Sequence, residues 1–309
     1  MKRFRKTVIL LLCVILSACS GGSTEAETKP KPAQESSTSS NEKYVVPEFA
    51  DSFFNEELAE GEDGAYIDLS SVADGYVAVR AESESRLKFQ VIKDDTYNYD
   101  LASDGSVSIF PLQSRDGHYE FRIMENVSDD RYAVLYETSA DVTLADEFQP
   151  YIRPNDYVHY TRDSQCVKLA DSFSAEAGSA LDVVDQVYEY VCGSIKYDSD
   201  KAMSVQSGYM PDPDETLKSG LGICFDYASL TAAMLRSQGI PTKVIFGYVS
   251  PNGVYHAWNM FYTEESGWVT VGFEVAGDDW NRIDLTFSAN GADQTFIGDG
   301  SNYTDVYEY

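Results

Sequence analysis

Short runs of alternating apolar and polar residues, separated by turn signals, dominate the first half of the chain. In RLKFQVIKD the apolar positions Leu87, Phe89 and Val91 are two residues apart, and HYEFRIMEN and RYAVLYET repeat this spacing. Because alternate side chains of a strand point to opposite faces, this period predicts strands with one buried face. Asp-Gly pairs between the runs favour tight turns. Residues 44–150 are therefore predicted to form an antiparallel β-sandwich.

The pattern then changes to helical spacing and returns to strands near the end. Apolar residues from Leu181 to Ile195 recur at helical spacing, which predicts a helix beginning near Ser179. CFDYASLTAAMLRSQG predicts a second helix, which Gly239 would end. TKVIFGYV, VYHAWNMFY and GWVTVGFEV predict strands, and NYTDVYEY predicts a closing strand. Helices followed by strands indicate an α+β domain over residues 151–309.

The N-terminus has the outline of a secretion signal. MKRFRKTVILLLCVILSAC begins with basic residues, continues with an apolar run of about ten residues and ends on small residues before Cys19. That run is too short to span a bilayer, which needs roughly 20 residues. Leu16-Ser17-Ala18-Cys19 resembles the bacterial lipobox, in which the cysteine sulfur is lipidated and the peptide before it is cut away, and favours a lipoprotein signal peptide at 1–18. An ordinary cleaved signal peptide, with Cys19 incidental, is the alternative.

Residues 19–43 are rich in Ser, Thr, Glu, Pro and Gly and contain almost no large apolar side chains. Such a segment cannot bury enough surface to fold, so a flexible tether is predicted. With lipid on Cys19, the protein would be anchored to the cell membrane outside the cytoplasm. The formal net charge of −28 disfavours nucleic acid as a partner, because phosphate backbones are repelled by an acidic surface.

The cysteines outside the signal segment bear on possible disulfides and on chemistry. Beyond Cys19 the chain contains Cys166, Cys192 and Cys224. In an oxidising compartment an odd number leaves one thiol that must stay reduced or pair between chains. Cys166 and Cys192 could form a disulfide and leave Cys224 as the thiol, or both could be buried thiols. The sequence leaves both alternatives open.

Cys224 has the setting of a nucleophile. It follows SGLGI, a loop with two glycines, and begins the second predicted helix. The unpaired amides and the positive end of the helix dipole at such a junction lower the pKa of a thiol. The same amides can bind the oxyanion of a tetrahedral intermediate. A cysteine that only packs against an apolar helix is the alternative.

Two further residues complete a candidate catalytic triad. His256 lies in the predicted strand VYHAWNMFY, on the face that it shares with Trp258. Asp284 lies in DDWNRIDLTF, after the predicted strand GWVTVGFEV. A carboxylate that accepts a hydrogen bond from an imidazole fixes its tautomer and supports its positive charge. Asp278 and Asp279 are weaker candidates for this third role.

These residues resemble the core of the transglutaminase-like superfamily. The family has G-x-C-x-x-[YF]-A, then H-A-W, then D-P-T, and this chain has GICFDYA, HAW and DLT in the same order. RSQGIPTKVIFGYV is similar to the family's run from helix into strand. The chain departs from the family at Leu285, which replaces proline, and in the longer GFEVAGDDWNRI before Asp284. The resemblance covers roughly residues 179–309.

The resemblance implies a papain-like α+β fold with Cys224 as nucleophile, His256 as base and Asp284 as the orienting acid. It implies attack on an amide bond through a thioester, by a cysteine acyltransferase, an amidase or a peptidase. For an anchored chain, the expected substrate is a peptide or protein, such as a cell-wall or surface protein. The family also includes inactive members, so a non-catalytic binding or scaffold lipoprotein of the same fold is the alternative.

No cofactor or metal is expected. The calcium dependence of animal relatives is not carried over, because no EF-hand-like spacing occurs in the sequence. Zinc motifs of the H-E-x-x-H or paired C-x-x-C type are absent from it as well. The β-rich half contains no catalytic cluster in its sequence, so a spacer or a ligand-binding module is expected there.

Overall fold

The computed structural model describes residues 43–249, 254–276, 279–284 and 303–309. The predicted signal peptide 1–18, the predicted lipidation site Cys19 and the tether up to residue 42 lie outside the described residues. In the described ranges, no helix combines the length and the apolar character that crossing a bilayer requires.

The N-terminal region forms two packed antiparallel sheets. Within the described stretch 43–142, the strand orders are β1-β2-β3-β6 and β5-β4-β7-β8. The strands are β1 Glu60–Glu62, β2 Ala65–Asp68, β3 Tyr76–Glu82, β4 Leu87–Ile92, β5 Thr96–Leu101, β6 Asp104–Pro111, β7 Gly117–Ser128 and β8 Arg131–Val142.

Alternation explains how the two sheets share one core. In β4 the side chains of Leu87, Phe89 and Val91 are buried, while the residues between them are more exposed. Phe89 stacks on Phe110 of the opposite sheet, with ring centroids 4.9 Å apart. The predicted antiparallel β-sandwich is therefore confirmed.

Helices occupy the middle of the chain. In the described ranges they are α1 Gln165–Ser174, α2 Ala180–Ser194, α3 Ser199–Ser204, α4 Pro213–Ser219 and α5 Cys224–Ser237. Ser179 caps α2, since its hydroxyl accepts a hydrogen bond from the backbone amide of Asp182 at 3.2 Å. The two predicted helices, α2 and α5, are confirmed. α5 is buried on all sides from Phe225 to Ser237, so it is the central helix of this region.

An antiparallel sheet packs against α5. Among the described residues its strand order is β14-β13-β12-β11-β15. The strands are β11 Thr242–Val249, β12 Val254–Thr263, β13 Gly267–Ala276, β14 Asp279–Asp284 and β15 Tyr303–Glu308, and a short parallel pair comprises β9 Lys196–Tyr197 and β10 Leu221–Gly222. The predicted α+β architecture and the closing strand are confirmed.

The described residues between 43 and 309 belong to one compact unit. Tyr309, which follows β15, stacks on Tyr157 with ring centroids 3.9 Å apart. Buried Arg236 donates to the carbonyl oxygens of Thr242 at 2.8 Å, Arg153 at 3.0 Å and Tyr309 at 2.8 Å. These contacts join α5, the last strand and the segment after the sandwich. The division into domains at 44–150 and 151–309 stays a prediction.

Candidate active site

The turn into α5 determines the position of Cys224, the first residue of that helix. Ile223 before it is extended, with φ −95° and ψ 177°, and its backbone amide donates to Oδ2 of Asp226 at 2.7 Å. Gly222 leaves room for this contact, because a Cβ there would lie 2.7 Å from the Cβ of Asp226. The glycine and the carboxylate together therefore shape the turn that presents the thiol.

Two opposing effects act on the Cys224 thiol. Burial is the larger effect and raises the pKa of the thiol, and the negative charge of Asp226 acts in the same direction. Hydrogen bonds from the backbone amides of Ala257, Phe225 and Cys224 itself favour the thiolate. The predicted amide contribution is therefore present, but the prediction of a lowered thiol pKa is wrong, because desolvation outweighs it. A thiolate here needs a cationic partner.

His256 lies in β12, opposite Gly247 of β11, and is half-buried. Its ring lies 6.4 Å from that of Trp258 at an interplanar angle of 23°, in agreement with the predicted shared face. Within the described residues, β12 pairs with β13 only from Asn259 to Thr263. The backbone amide of Ala257 lies outside that ladder and donates to the Cys224 sulfur instead.

Asp284 is the last residue of β14. β13 and β14 form a hairpin in which Asp284 lies opposite Val271, and Val271 in turn lies opposite Asn259 of β12. β14 therefore returns the backbone of Asp284 to the side of β13. Asp279 lies at the other end of β14, and Asp278 is outside the described residues. The side chain of Asp284 is also outside the described part of the chain, so its role stays a prediction.

Cys224 and His256 line one cavity of about 500 Å³. Many of its lining residues are aromatic, namely Tyr157, Tyr197, Tyr209, Phe225, Phe246, Tyr255, Tyr307 and Tyr309. Asn98 and Asp100 of the sandwich strand β5 also line it, as does the segment 205–210 that follows α3. The structure thus brings the predicted nucleophile and base to the same cavity. It also gives the sandwich a direct part in building that cavity.

Comparison with known proteins matches part of the chain to one family. Residues 145–273 match the family described as "Transglutaminase-like superfamily". We call this stretch the transglutaminase-like core, after the family that it is similar to. Cys224 and His256 lie within the matched range, whereas Asp284 lies beyond its end.

Individual relatives match shorter parts of the chain. A UPF0252 protein of Methanocaldococcus jannaschii is 29% identical over 111 residues, which are 34% of this chain and 30% of that protein. A protein-glutamine gamma-glutamyltransferase of Pseudomonas aeruginosa is 33% identical over 99 residues, which are 28% of this chain and 14% of the relative. This chain therefore spans less than a third of the length of either relative. Among solved structures, the transglutaminase of red sea bream is similar with a TM-score of 0.27 and 11% sequence identity. The similarity covers 64% of this chain and 47% of that transglutaminase.

The transglutaminase-like core contains a polar network that sequence analysis missed. Asp226 is fully buried and accepts hydrogen bonds from Nζ of Lys201 at 2.9 Å and from the hydroxyl of Tyr209 at 2.5 Å. An acidic residue in the first turn of a helix is a recognised capping signal, so Asp226 could have been found. Lys201 and Tyr209 reach it through the tertiary fold, and no local pattern marks them.

Asn259 connects the helix of the nucleophile with the strand of the histidine. Its Nδ2 donates to the carbonyl oxygens of Ala228 in α5 at 3.0 Å and of Lys243 in β11 at 3.1 Å. Both contacts are made three residues after His256 along β12. They hold α5 against the sheet and so help to set the separation between the two functional side chains.

The remaining cysteines, Cys166 and Cys192, are not among the residues that line the cavity of Cys224. Cys166, Cys192 and Cys224 are all thiols, so the alternative of a disulfide between Cys166 and Cys192 is not realised. Burial and the negative charge of Asp214 raise the pKa of the Cys166 thiol, so this thiol also needs a cationic partner to ionise. Over the described ranges, no group of three or more His, Cys, Asp or Glu residues is arranged to hold a metal ion.

Proposed function

We propose that the protein is a cysteine acyltransferase, amidase or peptidase that acts on amide bonds through a thioester. Cys224 is the nucleophile, His256 the general base and acid, and Asp284 the carboxylate that orients the imidazole. The observation that carries this proposal is the shared cavity. In it the sulfur of Cys224 lies at a helix N-terminus among backbone amides, and His256 lines the same space.

The chemistry follows from these groups. His256 takes the thiol proton while the sulfur attacks the carbonyl carbon of a carboxamide, forming a tetrahedral oxyanion. Backbone amides at the start of α5 and at Ala257 are the available donors for that oxyanion. The intermediate collapses when the C–N bond breaks and His256 returns its proton to the leaving amine. Water then releases a carboxylic acid from the thioester, or a second amine forms a new amide.

The localisation outside the cytoplasm is a proposal that rests on the sequence. A lipid on Cys19 would hold the enzyme outside the cytoplasm, with its substrates among cell-wall peptides or surface proteins. The predicted tether would separate the folded unit from the membrane, and the acidic surface would keep it soluble there.

The proposal is tested by alkylation of Cys224 with iodoacetamide, followed on its own peptide by mass spectrometry. In the wild type we expect Cys224 to react faster than Cys166 and Cys192. His256→Ala should slow the reaction at least about tenfold near neutral pH, because the thiolate loses its cationic partner. His118→Ala is the matched control, since His118 is exposed in the sandwich and bonds to Asp141 at 2.8 Å.

A different result would support the alternative function. If Cys224 shows no preferential labelling at any pH, or if His256→Ala labels like the wild type, the enzymatic proposal fails. The protein would then be a binding or scaffold lipoprotein with a transglutaminase-like core. Turnover of glutamine-containing and cell-wall peptides, with and without an added amine, would separate hydrolysis from transamidation.

A further inference from the structure

A buried carboxylate, Asp226, lies two residues after the proposed nucleophile, and the segment 201–209 supplies two side chains that donate hydrogen bonds to it. Lys201 in α3 approaches Oδ2 of Asp226 to 2.8 Å and Oδ1 to 2.9 Å. Tyr209 donates its hydroxyl to Oδ1 at 2.5 Å, and Lys201 also contacts that hydroxyl at 2.6 Å. The ammonium lies 4.3 Å from the centre of the Tyr209 ring. The three side chains thus form one closed network.

The same carboxylate holds the backbone next to the nucleophile. Oδ2 of Asp226 accepts from the amide of Ile223, the residue immediately before Cys224. Asp226 is fully buried, whereas the Lys201 side chain is 29% exposed. A buried carboxylate is stable only when it is paired and hydrogen-bonded, so removal of the lysine would leave an uncompensated charge. The position of the thiol therefore depends on Lys201 through Asp226.

The charges of Asp226 and Lys201 also affect how readily the Cys224 thiol forms a thiolate. A negative group close to a thiol disfavours the thiolate, and an adjacent positive group offsets that effect. The titratable groups close to the sulfur include Asp226 on α5, His256 and Tyr255 on β12, Tyr197 on β9, and Tyr209. Lys201 on α3 is the cation that pairs directly with the Asp226 carboxylate.

We propose that Lys201 and Tyr209 are positioning residues of the active site, which neutralise and anchor Asp226 so that it can brace the turn at Cys224 without suppressing the thiolate. Tyr209 also lines the cavity, within the segment 205–210. The network therefore attaches one wall of the substrate cavity to the start of the nucleophile helix. This inference rests on the proposed function of Cys224.

The test is the pH dependence of Cys224 alkylation in four proteins that differ in charge. Lys201→Met should move the midpoint upward and slow alkylation about tenfold at neutral pH, since about one pKa unit changes the thiolate population tenfold. Asp226→Asn should move it downward, because Lys201 then lacks its counter-charge. The double variant Lys201→Met with Asp226→Asn should return close to the wild-type midpoint. The amide introduced at 226 can still accept from Ile223.

Two further variants separate charge from general damage. Lys201→Arg should retain a near-wild-type midpoint, because the charge is kept. Lys218→Met is the matched control, since Lys218 is an exposed lysine paired with Glu215 at 2.7 Å and away from the cavity lining. If Lys201→Met does not fold, the comparison of Asp226→Asn with the double variant still measures the effect of the lysine charge.

The outcomes distinguish this inference from the proposed function. An unreactive wild-type Cys224 would overturn the proposed function. A reactive wild type with unchanged midpoints in the Lys201 and Asp226 variants would overturn only the inference. Midpoints that move in the same direction for Lys201→Met and Asp226→Asn would also overturn it, because that result would reflect disturbed packing and not compensating charge.

Discussion

At the scale of single residues, the motif around Cys224 has a steric explanation. Asp226 folds back to accept from the amide of Ile223, and its Cβ then occupies the space beside position 222. Only glycine fits there without a shift of the chain. Gly222, Cys224 and Asp226 therefore form one structural unit. The glycine leaves space for the Asp226 side chain, and the Asp226 carboxylate holds the turn that presents Cys224.

Gly222→Ala tests this unit. The added methyl group would lie 2.7 Å from the Cβ of Asp226, so the turn must shift, and we expect a loss of about 1–3 kcal/mol in the free energy of unfolding. Alkylation of Cys224 should slow as well. Gly193→Ala is the control, since no heavy atom lies within 4 Å of its added Cβ and it sits in α2. It should be neutral or stabilise by about 0.5–1 kcal/mol. Equal denaturant midpoints for the two variants would contradict the steric explanation.

At the scale of helices and strands, the elements with strong hydrophobic periodicity could be predicted from the sequence, whereas elements that depend on tertiary contacts could not. β4 and α2 have clear alternation and helical spacing, and the sequence predicts both. The short helices α3 and α4 have too few residues for a clear helical spacing of apolar positions. Packing and the N-caps Asp198 and Asp212 stabilise them. From Phe225 to Ser237, α5 has no exposed face. Its polar residues are buried, and most of them have internal partners such as those of Asp226.

The candidate site was predictable only in part for the same reason. Cys224 and His256 carry sequence motifs, and each lies in the element that its pattern predicts. The balance of effects on the thiol was not predictable, since burial of Cys224 depends on residues far away in the chain. Lys201 and Tyr209 lie 25 and 17 residues before Asp226 in the sequence. No local sequence pattern indicates contacts over such separations.

The β13–β14 hairpin makes the role of Asp284 testable against a neighbour in the same strand. Asp279 and Asp284 begin and end β14, so one strand carries both carboxylates at opposite ends. We expect Asp284→Asn to slow Cys224 alkylation at least about tenfold near neutral pH, because the imidazolium loses its carboxylate. Asp279→Asn should leave the rate unchanged. The reverse result would assign the third role to Asp279, and equal rates in all three proteins would exclude both.

At the scale of the whole molecule, aromatic residues join the sandwich to the transglutaminase-like core. Tyr99 in β5 lies 5.8 Å from both Tyr157 and Tyr309, measured between ring centroids. The sandwich is more than the spacer that its sequence allowed, because β5 also lines the cavity of Cys224. Many of the tyrosines thus serve packing, and their hydroxyl groups are removed from water when the protein folds.

This burial predicts a loss of stability at alkaline pH. Burial raises the pKa of Tyr97 to about 12, and it also raises the pKa of Tyr99 and Tyr157, whereas a tyrosine in an unfolded chain titrates near 10. Above about pH 10 the folded state therefore binds more protons than the unfolded state, so the free energy of unfolding falls as pH rises. Arg236 opposes this trend, because burial lowers its pKa to about 10, but it is one group against several phenols.

Denaturant titrations from about pH 8 to about pH 11, with tyrosinate absorbance recorded in parallel, would measure this effect. We expect the unfolding midpoint to be nearly constant below about pH 9 and then to fall, with up to about 1.4 kcal/mol per pH unit for each fully buried phenol. Tyr97→Phe should make the fall shallower, because it removes one phenol that must ionise on unfolding. A midpoint that stays level or rises through this range would mean that the tyrosines between the sandwich and the core are accessible to water in the folded protein.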